Sequence, residues 1–276
     1  MKPVGWMMAI VTGVLAIHIL FGHVAAQVKT QESAQGKIFA ASLPRERPIE
    51  PALSGSGTAQ SQAPKNPYPE MAPAEQYRIA NRDEEIALAR SAAPPSISAD
   101  AEVLVLGRRG YETAVKGKNG FVCFVQRSWA ADFDAPEFWN PKIRGPNCFN
   151  PPAARTELPQ ELKRTEWVLA GATRQQMIEK TRAAVARREF QAPEAGAFSF
   201  MLSKKGYLGD EAGGPWLPHV MFFLPHGQAA NWGANKDGSP VIGQDASAVE
   251  TTVLFIPVRS WSDGSPATPP REKHAM

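Results

Sequence analysis

The stretch Ala101–Trp129, AEVLVLGRRGYETAVKGKNGFVCFVQRSW, decides how this chain folds. Its first run, Glu102–Leu106, is aliphatic and β-branched and stops at Gly107-Arg108-Arg109-Gly110. A second run, Tyr111–Lys116, leads to Gly117-Lys118-Asn119-Gly120. Asn-Gly between β-prone runs predicts a hairpin, because both residues tolerate the positive φ of a type I′ turn. The third run, Phe121–Arg127, would be the partner strand. Phe121, Cys123 and Val125 share one face of it, and Val122, Phe124 and Gln126 share the other. Both faces are largely apolar, so this strand is expected in the middle of a sheet, covered on both sides.

Cys123 lies on that strand, and Cys148 is the only other cysteine. Their environment follows from the first residues. Met1–Ala26 has a basic start at Lys2, an apolar run from Val4 to Phe21, and small residues Val24-Ala25-Ala26 at the position a signal peptidase reads. That pattern predicts an export signal cut after Ala26. The competing reading is an uncleaved anchor, since the run approaches the roughly 18 residues that span a bilayer. No cysteine sits at the cleavage point for a lipid anchor. An exported chain meets an oxidising compartment, so Cys123 and Cys148 are expected to be joined. Such a crosslink stabilises by roughly 3 kcal/mol in the chain-entropy model. The expected location is periplasmic or secreted.

Composition narrows the partners. In 276 residues, 30 basic and 27 acidic side chains leave a net charge of +3, with the signs interspersed. That balance gives no basis for a nucleic-acid partner. Membrane contact is expected only through residues 1–26, if they are retained. The 25 prolines point to long irregular stretches. Residues 27–73 are rich in Pro, Ser, Ala and Gln and read as a disordered linker, and residues 263–276 as a disordered tail. Residues 74–262 are expected to form one α+β domain.

Within it, Ala74–Ala93 reads as a helix stopped by Pro94-Pro95, with Arg82, Asp83, Glu84 and Glu85 on a solvated face. Residues 130–150 mix aromatics with prolines and predict a packed irregular loop. Asp132, Asp134 and Glu137 in that loop lack the spacing of a calcium site. Pro159–Ala170 reads as a second helix, with Gly171 just beyond its end. Thr173 opens a third, with Gln176 placed for a capping box. Arg174, Lys180, Arg182, Arg187 and Arg188 on it read as an outer solvated face. Further strands are expected at residues 197–202, 219–224 and 250–259. The fold class is therefore α+β: an antiparallel sheet covered by about three helices and braced by one disulfide. The tripeptide Arg-Ser-Trp follows two strands, at residues 127–129 and 259–261, and each Trp could close one end of a core.

Candidate chemistry is sparse. His219 and His226 bracket one strand, but seven positions place them on opposite faces, and a third metal ligand is lacking. No Gly-x-Ser-x-Gly, Ser-x-x-Lys or phosphate-binding glycine loop occurs. No cofactor is expected. Two function classes follow. One is a non-enzymatic binding or structural protein for a small molecule or envelope partner, with the loop at residues 227–248, Trp232 and Asn235 as its contact surface. The other is a hydrolase-like enzyme with His219 or His226 as base, near Asp237 or Asp245.

The segments VLVLGRRGYETAVKGKNGFVCFVQRSW, EFWNPKIRGPNCFNPPAA and PHVMFFLP, followed by WGAN and GSPV, resemble an uncharacterised family of exported bacterial proteins. Its members are similar in having a signal, a hairpin ending in NGxxC, a second Cys in a Pro-rich loop and a C-terminal Pro-His strand. The resemblance covers roughly residues 85–264. It implies export and the disulfide, and no activity.

Overall fold

The computed structural model describes residues 66–210, 217–246 and 249–267. The expected signal, residues 27–65 of the linker and the tail beyond residue 267 lie outside them. The described chain is α+β. One sheet of eight strands has the order β2-β1-β3-β4-β5-β6-β8-β7. In chain order they are β1 Glu102–Leu106, β2 Tyr111–Val115, β3 Val122–Gln126, β4 Gly145–Phe149, β5 Phe198–Met201, β6 His219–Pro225, β7 Ile242–Asp245 and β8 Thr251–Pro257. Five helices accompany them where three were expected: α1 Arg82–Arg90, α2 Pro95–Ser98, α3 Pro151–Thr156, α4 Leu158–Leu169 and α5 Arg174–Ala186.

The strand β3 is central, between β1 and β4, as its two apolar faces require. The hairpin expected at Asn119-Gly120 is not there. The strand β2 folds back on β1 through the turn at Gly107 and Gly110, while β3 pairs with β1 in parallel. Local turn chemistry lost to burial: β2 is half exposed and takes the sheet edge, whereas β3 needs two neighbours. The connection crosses beneath the start of β1. A Cβ on Gly117 would lie 2.3 Å from the Glu102 nitrogen, so only glycine passes there. Asn119 binds the Phe121 amide and the Ile97 carbonyl.

The loop at residues 130–150 also differs from expectation, because its end forms β4. Cys148 lies directly opposite Cys123 in the β3–β4 ladder, and the two are disulfide-bonded. The sequence GPNCF carries no alternation signal; pairing with β3 and β5 makes it a strand. The earlier part is packed as expected, with Phe133, Phe138 and Trp139 buried beside Tyr77 and Met177.

Helix ends follow their sequence signals. The expected helix from Ala74 gives a single 3-10 turn to Tyr77, and α1 starts only after Asn81, whose side chain caps the Asp83 and Glu84 amides. Pro94-Pro95 ends that region and opens α2. Both halves of the Thr173–Gln176 capping box are made. On one face of the sheet, α3 and α4 cover Phe124, Phe149, Met221 and Phe223. On the other, Ala89, Ala92 and Ala93 pack against Val103, Cys123, Val125 and Cys148. Both Arg-Ser-Trp tryptophans are buried, Trp129 beneath α4 with its indole bonded to Thr165, and Trp261 against the Phe124 cluster.

Glu85 was expected in solvent and is 1% exposed. Its carboxylate takes 2.7 Å and 3.1 Å hydrogen bonds from Arg127 Nη2 and the Leu106 amide. Arg127 also donates to the carbonyls of Tyr77 and Val125. A charge can be buried here because each side supplies the other's partner.

Candidate functional site

Helix α5 ends in a Schellman-type cap. The Arg188 amide donates to the Val185 carbonyl and the Glu189 amide to the Ala184 carbonyl. Arg188 itself sits at φ 57°, where glycine is usual. An L-residue in that region costs about 1 kcal/mol. The side chain of Arg188 reaches a groove between α5 and the entry to β8. Two adjoining depressions of about 400 and 480 Å³ share Val185, Val249 and Glu250. Arg188, Gln160 and Gln191 line the first; Arg182 and His226 line the second.

The polar groups of this groove stand apart from their neighbours. Arg187 pairs with Glu189 at 2.6 Å and Arg155 with Glu194 at 2.7 Å. Among the described residues Arg182 and Arg188 make no ion pair or side-chain hydrogen bond. Gln160, on α4, is only 8% exposed, yet its amide makes no hydrogen bond within the described chain. Two guanidinium groups face one carboxylate, Glu250, so the lining carries surplus positive charge.

At the start of α4, carboxyls are held away from water. Burial, aided by the neighbouring Glu161, pushes Glu157 up to about 8, and its Oε1 has no hydrogen-bond partner. Burial raises Glu161 too, against Arg164 and a 3.0 Å bond from Gln126. Arg164 holds the Ala131 carbonyl, and Gln244 on the edge strand β7 bonds Asp132. This chain of contacts ties the loop after β3 across α4 to β7.

The residues singled out from the sequence are dispersed. His226 is exposed and lines the groove. His219 lies seven residues earlier, at the other end of β6. Its Nδ1 is 3.0 Å from the Leu217 carbonyl, its ring lies against Phe255, and burial lowers its pKa. Asp245 is opposite Thr252 and His219 opposite Pro257, five residues apart along β8. That separation is about 17 Å, so the two do not form a dyad. The Asp245 carboxylate instead accepts from Thr252 Oγ1 and the Gly227 amide, holding the turn beside His226. Asp237 is exposed on its turn.

Trp232 is 47% exposed and stacks on Phe222, which continues through Phe198 to Phe200 as a row of part-exposed rings. Asn235 is a brace. At φ 59° its amide exchanges bonds of 2.7 and 3.1 Å with Gly243, against which Ala229 and Ala234 pack so closely that a Cβ would clash. Asp132, Asp134 and Glu137 do not converge, and among the described residues no group of three His, Cys, Asp or Glu could hold a metal. No described helix is long and apolar enough to cross a membrane.

Sequence reading thus named one groove residue, His226, as a candidate, placed Arg182 and Arg188 on a solvated face, where both are exposed, and passed over Gln160 and Glu250. The only advance signal was Arg188, which stands where a glycine would end α5. No protein-family model, curated protein or solved structure matches this chain.

Proposed function

We propose that the protein is exported to the periplasm or the exterior and acts there as a non-enzymatic binding protein, taking a small molecule into the groove between α5 and β8. One observation carries this reading: Arg182, Arg188 and Gln160 all line the groove without partners in the described chain. Groups left in this state at a concave surface are what a ligand satisfies. The Cys123–Cys148 bond supports an oxidising compartment. Catalysis has less support, because the Asp245 carboxylate is engaged by the Gly227 turn and by Thr252, and not by either histidine ring.

Native mass spectrometry of the protein recovered from the exported fraction tests this. The expected species starts at Gln27, is two hydrogens lighter than the dithiol, and carries a small-molecule adduct that a Gln160→Leu variant loses. An adduct-free protein, or an adduct unchanged in the variant, would remove the groove from the account. Free thiols or a retained Met1 would remove export.

A further inference from the structure

We infer that the groove selects a small organic anion, a carboxylate or phosphate head on a short apolar body. This rests on the groove being a binding site and goes on to name the chemistry it accepts. Arg188 is the first reason. The helix cap is made by backbone amides and would form equally well with glycine, so the fold does not require this side chain. The chain nevertheless holds an arginine in left-handed backbone, and that arginine lines the cavity.

The lining completes the argument. Arg182 and Arg188 leave their donors open, and guanidinium groups recognise carboxylate and phosphate through paired hydrogen bonds. They must outweigh Glu250 and the negative end of α5, whose last carbonyls are already capped. Between the polar groups lie Val185, Phe190 and Val249, which suit an apolar body rather than a bare inorganic ion. The amides of Gln160 and Gln191 can orient the head. A depression of about 400 Å³ is in the range that holds a metabolite-sized ligand.

Isothermal titration of the full mature protein at low salt with hexanoate, hexylamine and hexan-1-ol tests the head group at constant chain length. Hexanoate should bind saturably, and the amine and alcohol about tenfold more weakly or worse. Arg182→Gln and Arg188→Gly should each weaken hexanoate about tenfold. Arg188→Gly should at the same time raise the thermal midpoint by about 2–4 °C as the backbone relaxes, which rules out misfolding as the cause of lost binding. Amine or alcohol binding as tightly as hexanoate overturns the anion and leaves the binding site standing. Absence of binding by all three overturns both. Hexanoate binding unchanged in both arginine variants overturns the placement in this groove.

Discussion

Two arginines of this molecule show how differently its two ends are built. Arg127, beneath α1, is 1% exposed and spends its donors on Glu85 and on the carbonyls of Tyr77 and Val125. Arg188, at the end of α5, occupies strained backbone and bonds none of the described side chains. Around Arg127 the chain is closed: the disulfide and the central strand β3 pack there against Ala89, Ala92 and Ala93, at and just past the end of α1. Around Arg188 it is open, with an unbonded amide and a groove. A paired and buried charge makes scaffold, and an unpaired charge on a concave surface can be met by something from outside.

The comparison is most easily broken at the closed end. Glu85→Ala would leave the Arg127 charge buried without its counter-ion and the Leu106 amide without an acceptor. A loss of about 3–5 kcal/mol in urea unfolding is expected. Arg182→Gln, at the open end, should change stability by less than about 0.5 kcal/mol. Equal effects would show that the two ends are not built differently.

Next in size is the crosslink. Replacing Cys123 and Cys148 together by Ala frees a loop of 25 positions in the unfolded chain and should cost about 3 kcal/mol. Measured against Glu85→Ala, this ranks the covalent and electrostatic braces of the same region. A loss much under 1 kcal/mol would mean that the β3–β4 ladder holds its register without the bond.

Much of the closed end was legible in the sequence, and little of the open end. The strand β3 announced itself by two apolar faces, and the disulfide by two cysteines behind a stretch that reads as an export signal; at the open end only the start of α5 was announced, by Thr173 and Gln176. These are signals within one stretch of chain. Glu85 looked like a surface carboxylate because its partner stands 42 positions away. The parallel β1–β3 pairing was hidden by an Asn-Gly turn that obeys local rules and is overruled by burial. The groove draws Gln160 from α4, Arg182 and Arg188 from α5, and Glu250 from the entry to β8, so no spacing in the sequence relates them. His226 was found as one of two histidines bracketing a strand, whereas Trp232 and Asn235, chosen as members of the loop after it, lie on the aromatic row and in a turn brace.

The next effect is a pH dependence at Glu157, one turn before the groove residue Gln160. Its carboxyl stays protonated in the folded chain to about pH 8, because burial and the nearby Glu161 oppose its charge. In the unfolded chain it ionises near its ordinary value of 4.5. Below that value both states hold the proton and the group costs nothing. Between the two values the unfolded chain has released the proton and the folded chain has not, so stability falls as pH rises, by roughly 1.4 kcal/mol per unit. Glu157→Gln is neutral at every pH and has no such dependence. Wild type should therefore lose about 2 kcal/mol more than the variant between pH 5 and pH 6.5 in parallel urea titrations. A residual slope will remain in the variant, since burial raises Glu161 in the same direction. Identical slopes would mean that Glu157 ionises normally in the folded chain. The contrast with Arg127 would then shrink to the arginines of the groove alone.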